Sequence, residues 1–398
     1  MVSAARMCLI CKGSRALCGQ ARCPLLARMS VEPRIKELAA KEFFGPSTSV
    51  FVGRFGYPNV GIGPLAAMEF KDNIDNPATW LSLDYSDIIE LRSLMLRSRM
   101  SQNVHSRNRY VYENQELALA TKPTDVEMSF SSKPLYRVSF SDIHQPMGPS
   151  ASLERLTIAE NPHIPRKIDY IVSDDVKASD AGVMLYRDGQ DVYRISTILS
   201  SGVIGRKDSR KLVPTRWSIT ATDSLLFDFM VSEVKDFPSV NEFQVFSHQA
   251  LDNRFEILLM PGSWEYENFE AWAPGGMWTA KLKKPEILEE HEPFEGRTKY
   301  ADKEGGGYYA ARLGVIEGLR RMGRQARVIV FREVYEGYQV PLGVWQVREN
   351  VREAMGGEPE RFDTLQEALL AIGTRLRLKI KDYTKQSRIL RQRRVLDF

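Results

Sequence analysis

Cysteine is almost missing from this chain of 398 residues: there are four, and none lies beyond Cys23. Met1 to Ile10 lacks an apolar run long enough for a signal peptide, which argues against a secreted, disulfide-bonded domain. No uninterrupted apolar stretch approaches the length of a membrane span and no targeting segment stands out, so the expectation is a cytoplasmic protein with no membrane contact. An excess of one charge is lacking too. A net charge of +4 and a pI near 8.7 are too mild to imply nucleic acid by themselves. The glycine-containing stretch Phe51–Pro64 matches neither the phosphate-loop motif nor the dinucleotide fingerprint.

What is present describes an ordinary globular chain, 43% hydrophobic and 27% charged, too long for one core. The expected fold class is mixed α/β or α+β. A small four-cysteine module over 1–28 precedes a central mixed α/β domain over 29–284. A C-terminal α+β region over 285–381 and a flexible basic tail over 382–398 follow.

The cysteines form one pattern, C-x2-C-x6-C-x4-C, over Cys8, Cys11, Cys18 and Cys23. Gly13 and Gly19 allow the backbone to curl and turn its N–H groups toward sulfur. Four thiolates with no nearby histidine favour a closed, structural Zn²⁺ site over a catalytic one, which keeps a ligand position open. An iron–sulfur cluster takes the same ligands and is the competing reading; compact spacing and the absence of other redox signatures favour zinc. Arg6, Lys12, Arg15, Arg22 and Arg28 accompany the cluster, with no acid before Glu32. Part of that charge offsets the thiolates, and the rest suits phosphate.

Ile35, Leu38, Ala39 and Phe43 predict a helix over Val31–Phe44 with Pro33 in its first turn. Phe51–Pro64 holds four glycines among aromatic and apolar residues, as two short strands joined by a close-approach loop would. Gly53, Arg54, Gly56, Gly61 and Gly63 are therefore candidates for a phosphate or nucleotide, with a plain β-turn as the competing role. Tyr85–Met100 reads as a helix. Leu135–Phe140, Ile168–Val172 and Val192–Leu199 read as strands. Asp142 and His144 after the first, and Asp174 and Asp175 after the second, stand where α/β sheets place ligands or Mg²⁺. They are the catalytic candidates if the protein is an enzyme; capping is their competing role.

Ser200–Lys207 contains a GxxG turn beside Arg206 and Lys207, followed by Arg210, Lys211 and Arg216, a pattern suited to a phosphate-binding loop, with a solvated turn as the favoured competing role. Trp217–Val231 reads as a core helix, and Phe243–Ser247 with Phe255–Met260 as a hairpin. Trp264, Trp272 and Trp278, set among Glu265, Glu267 and Glu270, suit stacking on a base, with the roof of a core as the favoured competing role. The acidic stretch Glu286–Glu295, running on to Gly305-Gly306-Gly307, predicts a boundary or long loop. Beyond it come a helix from Tyr308 to Met322, buried strands over Arg327–Val334 and Val340–Val347, and a helix opened by the capping box Thr364-x-x-Glu367.

Arg375–Lys381 alternates cation and aliphatic, as a strand with one charged face would. Nine Lys or Arg stand against one acid, Asp382, between Arg375 and Arg394. A DNA-contacting surface and a solvated edge strand compete there. In the last seven residues Gln392, Val395 and Phe398 can share one side of a helical turn, and with Leu396 they form the candidate partner-binding set.

Together these runs resemble the archaeal Nre family of DNA repair proteins. The resemblance rests on Cys8-Leu9-Ile10-Cys11-Lys12-Gly13, Leu17-Cys18-Gly19 and Cys23-Pro24, on Leu212–Thr220, on Gly306–Arg312 and on the terminal Gln-x-x-Val-x-x-Phe. It implies a role in DNA repair in a nucleoid-associated protein, and a zinc finger on Cys8, Cys11, Cys18 and Cys23. It also implies a C-terminal motif that docks on the sliding clamp PCNA, with Gln392 in the glutamine pocket and Val395 and Phe398 in the apolar one. This chain has a single aromatic and Val at the aliphatic position, so less area is buried and clamp affinity should be weaker. The alternative is a nucleotide-processing or nucleic-acid-end-processing enzyme.

Overall fold

Alternation of inward and outward side chains closes five strands into a barrel in the first of two units, Arg22–Leu226. The second unit is Phe227–Phe398 with Met1–Ala21. The structure is a computed structural model and describes residues 11, 15, 23–136, 147–274, 279, 282–338 and 340–392. Cys8, Cys18, Asp142, His144, Val395, Leu396 and Phe398 lie outside the described residues.

The barrel consists of β1 (Glu42–Val52), β2 (Asn59–Ala67), β3 (Met95–Asn103), β4 (Thr124–Phe130) and β5 (Ser150–Ile158). They pair in the order β1-β2-β3-β5-β4 and close back onto β1. Every neighbouring pair is antiparallel except β3 and β5, which run parallel from Arg97↔Ser150 to Arg99↔Ser152. Val50, Ala66, Leu96, Val126 and Leu153 fill the interior. Outside the strands, α1 (Pro24–Leu38) precedes β1 and α2 (Tyr85–Ser93) lies between β2 and β3. Between β3 and β4, α3 (Arg109–Leu119) is capped by Asn108, which accepts from the Val111 N–H, and buries Val111, Leu117 and Ala118 against the strands. This strand order, with a helix between the third and fourth strands, is that of the OB barrel. Four further helices follow: α4 (Arg166–Ser173), α5 (Ala178–Arg187), α6 (Val192–Ser200) and α7 (Thr215–Val234).

Several expectations for this unit are corrected. The first helix begins at Pro24 and stops at Leu38, and Phe43 instead pairs with Met128 across β1 and β4. The expected helix over Tyr85–Met100 stops at Ser93, because the residues from Met95 onward pair with β2. Ile168–Val172 and Val192–Leu199 are helical, in α4 and α6. Asp191 caps α6 by accepting from the Arg194 N–H, a local signal that outweighs the β-branched content of the run.

In the second unit β6 (Phe243–Ala250), β7 (Asn253–Met260), β8 (Glu265–Trp272), β9 (Glu286–Glu292), β10 (Arg327–Val334) and β11 (Glu360–Phe362) form a sheet ordered β11-β6-β7-β10-β8-β9. Only β10 and β8 run parallel. The expected hairpin is β6–β7, with Leu251 and Asp252 both at positive φ in its two-residue turn. The helices are α8 (Gly306–Met322), α9 (Trp345–Gly356), α10 (Leu365–Arg375), α11 (Ile380–Thr384) and α12 (Arg388–Arg391). Ile329 and Phe331 of β10 pack with Ala368, Ile372, Tyr383 and Ile389 of α10–α12 on one face of the sheet. Tyr308 of α8 packs edge-on against Tyr266 of β8 on the other. Among the described residues no helix is long and apolar enough to cross a membrane.

Here too the acidic stretch is not a loop. Its residues form the edge strand β9, and Glu292 accepts from Arg312 and from Tyr308 at 3.0 Å. The triglycine run leads into α8. Val340–Val347 is not a strand, since Pro341 and Gly343 interrupt it before α9 begins at Trp345. Nor are Arg375–Lys381 a strand or residues 382–392 a flexible tail. Glu333 accepts from the backbone N–H groups of Arg377 and Leu378 at 2.8 and 2.9 Å and from the Tyr383 hydroxyl at 2.9 Å. Glu267 accepts from the Arg388 N–H at 2.6 Å and from the Ser387 hydroxyl, and Ile389 is buried beside them.

Burial pushes the Glu267 carboxyl up to about 7, against the hydrogen bonds from Ser387 and Arg388. A carboxyl raised on folding binds a proton that the unfolded chain releases. Its stabilising contribution is therefore complete below its ordinary range near pH 4.5 and is lost as pH rises through about 7. Glu267→Gln removes the ionisation and keeps an acceptor for the Arg388 N–H. The variant should be more stable than the parent at pH 8 by about 2 kcal/mol, with the advantage shrinking toward pH 5. Denaturant unfolding at the two pH values checks this; no difference between them would exclude a buried, raised Glu267.

Candidate nucleic-acid interface

Because β1–β3 send Val50, Val52, Ile62 and Leu96 inward, the alternate residues Phe51, Gly61, Gly63, Arg97 and Arg99 belong to the outer face. Gly63 answers a packing need: a Cβ there would strike the Ser98 carbonyl of β3. Gly61 lies under the aliphatic stem of Arg99, whose head is exposed. Arg97 sits over the Phe51 ring at 5.6 Å, and its Nε is buried without a hydrogen-bond partner. Burial, and then the neighbouring Arg92 and Arg99 cations, pull Arg97 down to about 10, so it stays charged at neutral pH. A partly desolvated guanidinium crowded by like charges is a receptor for an anion.

The loop from Gly53 to Pro58 joins β1 to β2. It is anchored by the Gly53 N–H donating to Gly61 O at 2.8 Å, and Gly56 turns it. Gly53 and Gly56 thus serve the turn, the plainer of the two expected roles. Arg54 lies 5.0 Å over the ring of Phe55, which is 74% exposed. Tyr57 meets Trp217 at 5.2 Å between ring centroids, and the two are 43% and 45% exposed.

Trp217 ties this loop to the basic segment expected from 200 to 216. Gly202 has φ +72°, and a Cβ there would collide with the Lys211 carbonyl, so the GxxG turn is a tight reversal. The Leu212 N–H donates to Val104 O at 2.8 Å, and the Val104 N–H donates to Pro58 O at 2.9 Å. Arg107 donates to Lys207 O at 2.7 Å. Lys177, Arg206, Arg210 and Lys211 line a cleft of about 420 Å³ with Leu199 and Ile204 at its wall. The two groups of phosphate candidates, Gly53–Gly63 and Arg206–Arg216, therefore lie in one neighbourhood.

Asp174 and Asp175 follow a helix and not a strand. Asp175 accepts from the Lys207 N–H at 2.7 Å, and Arg210 donates to the carbonyls of Val172, Asp174 and Gly205 at 2.8 Å. These contacts fix the basic loop. Among the described residues no three His, Cys, Asp or Glu side chains gather where a metal could sit. Cys11 is buried, and Cys23 is the N-cap residue of α1.

Both units hold paired cations, and in both some cations are left unpaired among the described residues. In the sheet unit Arg312, Arg327, Arg332, Arg352, Arg375, Arg377 and Arg388 each meet a carboxylate. In the barrel unit Arg54, Arg97, Arg99, Arg206, Lys207 and Arg216 meet none among the described residues. Of the described C-terminal cations, expected as a DNA surface, Arg375, Arg377 and Arg388 are thus neutralised, while Lys379, Lys381, Lys385 and Arg391 meet no carboxylate among the described residues. Arg97, Arg99 and Trp217 were not candidates from sequence, although the i, i+2 spacing of the two arginines is a strand signal.

The fold and its surface define a two-unit protein with an OB barrel presenting unneutralised cations beside aromatic rings. The archaeal Nre N-terminal and C-terminal family models match residues 17–279 and 292–397, so the chain belongs to the archaeal Nre family. It is 37% identical to "DNA repair protein NreB" of Archaeoglobus fulgidus over 98% of this chain and 99% of that relative. It is 38% identical to "DNA repair protein NreA" of the same organism, over 94% of each chain. It is 36% identical to "DNA repair protein NreA" of Haloferax volcanii, over 86% of this chain and 85% of that one. No solved structure matches.

Proposed function

We propose that this protein is a DNA repair factor that contacts DNA phosphates through its barrel unit and is recruited to the sliding clamp PCNA by its C-terminal residues. The names of its relatives support the repair role. The observation that carries the DNA contact is the set of cations on the barrel side that lack carboxylate partners, together with the exposed rings beside them. OB barrels bind oligonucleotides on the face of strands two and three and on the loop between strands one and two, where Arg99 and Arg54 stand. Gln392, Val395, Leu396 and Phe398 are the clamp-binding set, and Gln392 is exposed directly after α12. Cys8, Cys11, Cys18 and Cys23 hold structural zinc in this reading. A donor set of four thiolates fits that ion and leaves no open position for catalysis.

Arg54→Ala with Arg99→Ala should weaken binding of a labelled oligonucleotide and flatten log affinity against log salt by roughly 1–2. An unchanged salt slope would remove the barrel face from the account. Deleting Gln392–Phe398 should abolish co-elution with PCNA, and co-elution that survives the deletion would dismiss the tail as the tether. Metal analysis should find zinc at one ion per four cysteines, lost on Cys8→Ser; iron with visible absorbance would assign a cluster to the site.

A further inference from the structure

An aromatic ring held in water loses the hydrophobic gain of burial, and three such rings stand close to one another along the chain path just described. Phe55, Tyr57 and Trp217 are each substantially exposed, and neither Arg54, which lies against Phe55, nor Arg216, the chain neighbour of Trp217, meets a carboxylate among the described residues. Arg54 lies over Phe55, Arg216 directly precedes Trp217, and Arg97 and Arg99 occupy the strand face next to the loop. A duplex offers such a surface its phosphates and the edges of its bases, while the base faces stay stacked on one another. Rings alternating with cations instead match a strand whose bases are unpaired and whose phosphates run alongside.

Resting on the DNA-contact reading above, we infer that the nucleic acid taken by this face is single-stranded DNA, with bases stacked on Phe55 and on the Tyr57–Trp217 pair. Arg54, Arg99 and Arg216 hold the intervening phosphates. Stacking is tolerant of sequence because every base has a π face, so the site selects strandedness and not sequence.

Fluorescence anisotropy with the full chain tests this, using a labelled thymidine oligomer of about 12 nucleotides and a blunt duplex of the same length. The single strand should bind at least about tenfold more tightly than the duplex, and Phe55→Ala or Trp217→Ala should each weaken it about tenfold while leaving duplex binding unchanged. Trp217→Phe should retain most of the binding, which separates loss of stacking from misfolding. Single strand and duplex bound equally, with the aromatic variants unaffected and the Arg54 and Arg99 variant weakened, would overturn strandedness and leave the DNA-contact reading in place. Binding to neither would remove both. A uridine oligomer bound more tightly than the thymidine one would overturn the assignment to DNA.

Discussion

The parallel pairing of β3 with β5 is the constraint on which the candidate interface depends. It closes the barrel, and a closed barrel has an inside and an outside that every strand must respect. With Arg97 opposite Ser150 and Arg99 opposite Ser152, Leu96 and Ser98 must face in and the two arginines out. A slip of one residue would exchange the two sets. The register is locked by the Arg97 N–H donating to Pro149 O at 2.9 Å and by the buried Ser98 hydroxyl donating to Pro64 O at 3.0 Å. It is tightened by Gly63, where no side chain fits.

Electrostatics separate buried cations from exposed ones. In the sheet unit Arg332 donates both Nε and Nη2 to Asn253 Oδ1, at 3.0 and 2.8 Å, while Nη1 meets Glu270. Buried pairs of this kind add little net stability over an apolar core, because desolvation offsets their attraction, but losing one partner leaves a stranded charge. On the outer face of the barrel Arg99 meets no carboxylate among the described residues, and Arg97 keeps a buried Nε without a hydrogen-bond partner. Cations so placed can meet negative charge brought from elsewhere.

How much of this could be read from the residues follows from the range of each signal. The hairpin at Leu251-Asp252, the capping box at Thr364 and the buried strand Arg327–Val334 rest on neighbours in sequence, and all three stand in the structure. Short apolar runs such as Ile168–Val172 carry no period that separates helix from strand; Asp191 caps the helix over Val192–Ser200, while the helix over Arg166–Ser173 has no side-chain cap. The alternation in Arg375–Lys381 does sort Leu376 and Leu378 inward from Arg377 and Lys379 outward, but no strand is there to pair with it. Sequence shows the charge of this run but not its pairing, since Arg375 meets Glu256, 119 residues away, as well as Glu360. Barrel closure is equally non-local, and Pro46 and Pro64 inside β1 and β2 disguise both strands. The glycines of Gly53–Gly63 signal a close approach and serve mostly the turn and the packing, while Arg97 and Arg99 one strand away carry a strand spacing and no ligand motif.

The C-terminal segment shows how buried carboxylates can hold a basic stretch of chain. Glu333 and Glu267 pin the backbone at Arg377, Leu378 and Arg388, and Arg327 donates to Ile389 O at 3.0 Å. The chain is thus held up to α12, directly before Gln392. Arg375, Arg377 and Arg388 of this segment meet carboxylates, and Lys379, Lys381, Lys385 and Arg391 meet none among the described residues. Its path is fixed largely through backbone N–H groups, which carry no net charge, and that leaves the unmatched side-chain cations exposed to solvent.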